Sequence, residues 1–84
     1  MSYTLLILRR AQKELAQLPS MAYERVKAAI LKLGENPRPR GCRKLAGREG
    51  WRIRVGDYRV IYEVDDERQT VTVLHIGHRR DVYR

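Results

Sequence analysis

The feature that most constrains this chain is an alternation with a break in the middle. Trp51, Ile53 and Val55 take every second position, with Arg52 and Arg54 between them; after Gly56-Asp57, Tyr58 to Val64 continues in strand-like fashion. A period of two marks a strand buried on one face. A two-residue Gly-Asp break between two such runs marks a β-hairpin. With Gly56 and Asp57 as the loop, Val55 pairs with Tyr58, Arg54 with Arg59, and Ile53 with Val60. Opposed residues share a face, so Ile53, Val55, Tyr58, Val60, Tyr62 and Val64 are expected on the core side. Arg52, Arg54 and Arg59 are expected together on the other. Like charges directly opposite destabilise a sheet, so the pair either holds an anion or splays into water.

The rest of the chain supplies something to cover the apolar side. Tyr3 to Leu8 is a short apolar run, expected to be a strand buried on both faces. Arg9 to Leu18 carries Ala11, Leu15 and Leu18 at helical spacing and stops at Pro19. Ser20 is expected to cap a second helix with Ala22, Val26, Ala29, Ile30 and Leu33 on one face, and Gly34 to end it. Glu35 to Gly50 is rich in proline and glycine and is expected to be a loop, with a brief extended piece around Lys44 to Ala46. Asp65 to Gln69 is a polar turn, and Thr70 to Ile76 is a β-branched final strand. The expected architecture is α+β in the order β-α-α-β-β-β: one domain over 1–84, with an antiparallel four-stranded sheet packed against an N-terminal helical hairpin.

Charge narrows the class of partner. The chain of 84 residues has a net charge of +8, and residues 38–59 contribute eight basic and two acidic side chains to it. A clustered basic field attracts nucleic acid, acidic protein or anionic membrane. No apolar run approaches the length of a membrane helix, and Met1 to Arg10 has no small-residue cleavage site. The single cysteine, Cys42, leaves the fold independent of oxidation, so a cytoplasmic location is expected. The acidic turn Asp65-Asp66-Glu67 lacks the pattern of a calcium loop, and neither a metal nor a cofactor is expected. Trp51 is expected in the core and His75 in a structural role. A tail cluster of His78, Arg79, Arg80 and Tyr83 offers a titratable imidazole, two more cations and a ring that stacks on a base.

Three stretches give these residues a family context. Lys44-Leu45-Ala46-Gly47, Trp51 through Val64, and Ile76-Gly77-His78-Arg79-Arg80-Asp81-Val82-Tyr83-Arg84 together resemble the RelE family of toxins of type II toxin–antitoxin systems. The resemblance spans essentially the whole chain. It implies a metal-independent endoribonuclease, an mRNA interferase that enters the ribosomal A site and cuts the message there. Attack by the 2′-hydroxyl would leave a 2′,3′-cyclic phosphate and a 5′-hydroxyl. The expected partners are a cognate antitoxin, the ribosome and mRNA, with no membrane and no small-molecule cofactor. The family's two basic positions before the hairpin match Arg52 and Arg54, its phosphate-gripping arginine matches Arg59, its last-strand arginine matches Arg79, and its stacking tyrosine matches Tyr83. Arg43, Lys44, Arg48 and Arg80 are expected to bind RNA around them.

One departure alters the expected chemistry. Members of the family with lysine at the positions of Arg52 and Arg54 have a group able to lose a proton, whereas arginine stays charged. Arg52, Arg54 and Arg59 are therefore expected to act electrostatically on the pentavalent phosphate. His78, and behind it Lys44, is the expected base. Arg79 would stabilise or protonate the leaving 5′-oxygen. Two alternatives stand beside this: a ParE-like toxin that inhibits DNA gyrase, and a catalytically weak toxin acting mainly with its antitoxin as a corepressor.

Overall fold

The computed structural model describes residues 2–78. In chain order the elements are β1 (Thr4–Ile7), α1 (Arg9–Ala16), α2 (Ser20–Leu33), β2 (Arg43–Lys44), β3 (Trp51–Val55), β4 (Tyr58–Asp65) and β5 (Thr70–His78). The strands form one sheet in the order β1-β5-β4-β3-β2. The helical hairpin covers one face. Ala11 and Leu15 of α1 and Val26, Ile30 and Leu33 of α2 bury against Ile53, Val60, Tyr62, Val71, Val73 and Ile76. Their helical spacing on one side and alternation on the other meet in a single apolar layer.

The hairpin has the expected register. Val55 pairs with Tyr58, Arg54 with Arg59, and Ile53 with Val60. Gly56 has φ 61° while Asp57 is not in the left-handed region, the pattern of a turn whose first loop position must be glycine. Gly50, which leads into β3, is a second required glycine. Its φ is 122°, and a Cβ there would come within 3.0 Å of Leu45 Cδ1 and 3.3 Å of the Tyr62 carbonyl oxygen.

The sheet differs from the expected four antiparallel strands in two ways. Arg43–Lys44 adds a fifth strand, antiparallel to β3, and β1 lies parallel to β5 at the opposite edge. A parallel neighbour requires a long connection, and the five intervening elements between β1 and β5 supply one. As an edge strand, β1 is not buried on both faces: Leu6 is 49% exposed. The helix ends also differ. Pro19 occupies the cap position of α2, with no side-chain cap bond, so Ser20 is the first helical residue and not the cap. Gly34 ends α2 at φ −65°, a right-handed conformation open to any residue. The first helix stops at Ala16, before Leu18.

A polar clamp ties the loop after α2 to the far end of the sheet. Arg38 donates to Asp66 through Nη1 at 3.2 Å and Nη2 at 2.9 Å, and Tyr3 donates its hydroxyl to the same carboxylate at 2.7 Å. The Arg38 hydrogen bond, followed by that of Tyr3, holds the Asp66 carboxyl below its usual range. Tyr62, fully buried, donates its hydroxyl to the Pro37 carbonyl at 2.7 Å. Burial pushes its phenol pKa up. The acidic turn thus has a structural task at Asp66, which composition alone did not reveal. No helix among the described residues is long and apolar enough to cross a membrane.

Candidate nucleic-acid interface

The sheet face turned away from the helices carries the basic residues in register. Arg43 pairs with Arg52 across β2 and β3, and Arg54 with Arg59 across β3 and β4. Two opposed arginine pairs, two residues apart, form one patch. Arg43 and Arg54 are exposed, while Arg52 and Arg59 are half-buried. Arg59 keeps Nε and Nη1 out of solvent, which confines its guanidinium more than a free surface arginine. Across β5, Arg59 faces Gly77, a position with no side chain. On the same face Ile61, between Arg52 and His75 in the cross-strand row, is only 4% exposed.

The outer face is polarised along the strands. Beyond the arginines, a groove at the other end is lined by Glu49, Glu63, Asp65, Asp66 and Glu67 against one cation, Arg68, with Leu6 at its side. A polyanion is therefore attracted to one half of the face and repelled from the other. An anion laid here meets guanidinium forks shaped for phosphate oxygens.

Not every expected site residue joins this patch. Lys44 pairs with Trp51 and places Nζ 5.4 Å from that ring's centroid, with the Arg38 guanidinium 5.1 Å from the same centroid. Trp51 is thus half-buried under two cations and not a fully buried core residue. Arg48 is exposed in the turn between β2 and β3. His78 does not reach the arginine face. It pairs with Tyr58, packs edge-on against that ring at 5.8 Å, and so lies on the helix side, where Tyr58 meets Met21 and Ala22 of α2. Alternation is the reason: Gly77, not His78, faces Arg59. Arg79, Arg80 and Tyr83 lie outside the described residues.

One pairing had no sequence signal. His75 Nδ1 lies 2.9 Å from Oε1 and 2.7 Å from Oε2 of Glu14, whose Oε1 also accepts the Ile76 amide at 2.8 Å. The partners are 61 positions apart, so no local spacing announces them. Glu14 caps an amide on the stretch of β5 that extends past the end of β1.

A helical hairpin on one sheet face and an arginine cluster on the other are the build of a compact type II toxin, and known proteins agree. The family described as ParE toxin of type II toxin-antitoxin system, parDE, matches over residues 5–83. Toxin RelG of Mycobacterium tuberculosis is 36% identical over 92 residues, spanning 100% of this chain and 99% of that protein. The archaeal RelE of the RelE–RelB complex from Pyrococcus horikoshii superimposes with a TM-score of 0.84 at 32% identity, covering 98% and 100% of the two chains. The intact RelBE toxin–antitoxin complex of E. coli gives 0.80 at 32% identity, covering 92% and 96%. The chain belongs to the RelE/ParE family of type II toxin–antitoxin toxins.

Proposed function

We propose that this toxin is an endoribonuclease that cleaves mRNA in the ribosomal A site and thereby stops translation. The observation that carries this is the pair of opposed arginine rows, Arg43–Arg52 and Arg54–Arg59, on the sheet face turned away from the two helices. Guanidinium groups gathered on one surface attract a polyanion and match the geometry of phosphate oxygens. The similarity to RelG and to RelE proteins supports the same reading.

In this scheme the 2′-hydroxyl oxygen attacks the adjacent phosphorus and gives up its proton to a base. The bond from phosphorus to the 5′-oxygen breaks, and that oxygen takes a proton. Arg52, Arg54 and Arg59 stabilise the charge that builds on the phosphoryl oxygens. Arg79 is assigned to the leaving oxygen and Tyr83 to stacking on a base. An acidic, amphipathic antitoxin segment neutralises the toxin by covering the basic face and the exposed apolar residues of α2, Met21 and Leu31. The relatives from Pyrococcus horikoshii and E. coli are seen in complexes with RelB.

Mapping of 5′ ends after adding the protein to a translation extract tests the proposal. Cuts within the A-site codon, lost when translation is blocked before elongation, are expected. The matching family is described by its parDE members, which favours gyrase inhibition as a second reading. Intact mRNA together with trapped gyrase–DNA complexes would select it.

A further inference from the structure

Arginine at 52 and 54 supplies no group that takes a proton, and His78 points to the other side of the sheet. His75 does not. Its strand position pairs with Ile61, which pairs with Arg52, so Arg52, Ile61 and His75 form one row across three strands of the arginine face. Arg59 pairs with Gly77, two residues beyond His75. Arg59 and His75 are therefore diagonal cross-strand neighbours, about 7–8 Å apart and within reach of long side chains.

We propose that His75, oriented by Glu14, is the general base that removes the proton of the attacking 2′-hydroxyl; this rests on the endoribonuclease reading above. An ionised Glu14 only accepts hydrogen bonds, so the Nδ1 facing it carries the hydrogen, and Nε2 carries the lone pair. The carboxylate is itself fixed from two sides. Oε1 accepts the Ile76 amide at 2.8 Å, and Oε2 faces Arg10 Nε at 3.2 Å on the next turn of α1. A carboxylate that sets the tautomer and steadies the imidazolium formed on proton uptake is the recurring arrangement around a catalytic histidine. Capping the Ile76 amide requires only Glu14; it gives no reason for an imidazole at 75. The ring side chain keeps 21% of its surface open, enough for one edge to meet a substrate.

The proton of the 2′-hydroxyl passes to Nε2 as the oxygen bonds to phosphorus. The 5′-oxygen departs with the electrons of its bond and takes a proton from water. His75 then returns its proton to solvent. Among the described residues, the charged groups around it are Glu14 and Arg10 from α1, Arg59 and Glu63 from β4, and Arg52 from β3. From β1 its surroundings bring none.

Single-turnover cleavage on programmed ribosomes, followed across pH, tests this with the full-length toxin. His75→Gln is expected to cut at least about 100-fold more slowly while binding ribosomes as tightly. It should also have a pH–rate profile different from that of the wild type. Added imidazole should restore part of the rate to His75→Ala. Glu14→Gln keeps an acceptor for the Ile76 amide, so a loss of about tenfold or more there reports the missing charge and not a frayed edge. Wild-type cleavage with an unchanged rate and pH profile in folded His75→Gln would overturn the His75 assignment alone. A wild-type toxin that leaves ribosome-bound mRNA intact would overturn the endoribonuclease reading and this assignment with it.

Discussion

The two faces of the β3–β4 hairpin are made by neighbouring residues and do opposite work. Val60 is fully buried against the helices, while Arg59, one residue earlier, stands on the outer face opposite Arg54. The inner face follows from stability, since each apolar side chain there leaves water. The outer face gathers like charges instead, and a clustered basic field attracts polyanions.

The comparison breaks most visibly at Arg59. Arg59→Ala is expected to reduce ribosome-dependent cleavage by about 10²–10³-fold, the usual loss when one donor to a developing anion is removed. Its urea unfolding midpoint should move little. Full cleavage by a folded Arg59→Ala variant would remove the outer face from the mechanism. Val60→Ala should behave in the opposite way. It should cost about 2–3 kcal/mol through lost burial and a residual cavity, read from urea unfolding, while the fraction still folded cleaves at the wild-type rate.

Smaller effects test the clamp that holds the hairpin's far end. Tyr62→Phe leaves the Pro37 carbonyl without its 2.7 Å donor. A loss of about 1–2 kcal/mol is expected, measured against the wild type in denaturant. Asp66 gives the smallest effect and a pH signature. Its carboxyl is held low by Arg38 and then Tyr3, so the folded protein favours the ionised form. That contribution is complete above the unfolded carboxylate value of about 3.9 and is lost as pH falls through the lower folded value. Asp66→Asn should therefore be less stable than the wild type near neutrality, and the gap should close in acid. A gap that persists there would assign the effect to packing.

The hairpin was the most legible part of this protein. Its loop residues, its register and the shared face of Arg52, Arg54 and Arg59 all follow from a period of two and one Gly-Asp break. The helical hairpin was equally readable from its periodicity and from Pro19, although the cap moved by one residue. Edges were not legible. Strand direction at an edge depends on where a long connection returns, so the strand at Tyr3 to Leu8 and the extended piece near Lys44 were readable, but the parallel pairing of β1 and the place of β2 as a fifth strand were not. The two histidines show the same limit within the site. In the chain, His78 adjoins the arginine tail and His75 sits inside a β-branched strand. In the fold, Tyr58 holds the first on the helix side, while Glu14 holds the second at an edge of the arginine face.

The sequence by itself determined which residues share the hairpin's two faces, because alternation and a two-residue turn are local and leave no choice of register. Only the tertiary structure decided which residues from elsewhere meet that hairpin: Arg38 over Trp51, Asp66 between Arg38 and Tyr3, and Glu14 on His75. Those contacts join positions far apart in the chain. They exist only once the helices and sheet have buried their common core, and no spacing along a single strand or helix encodes them.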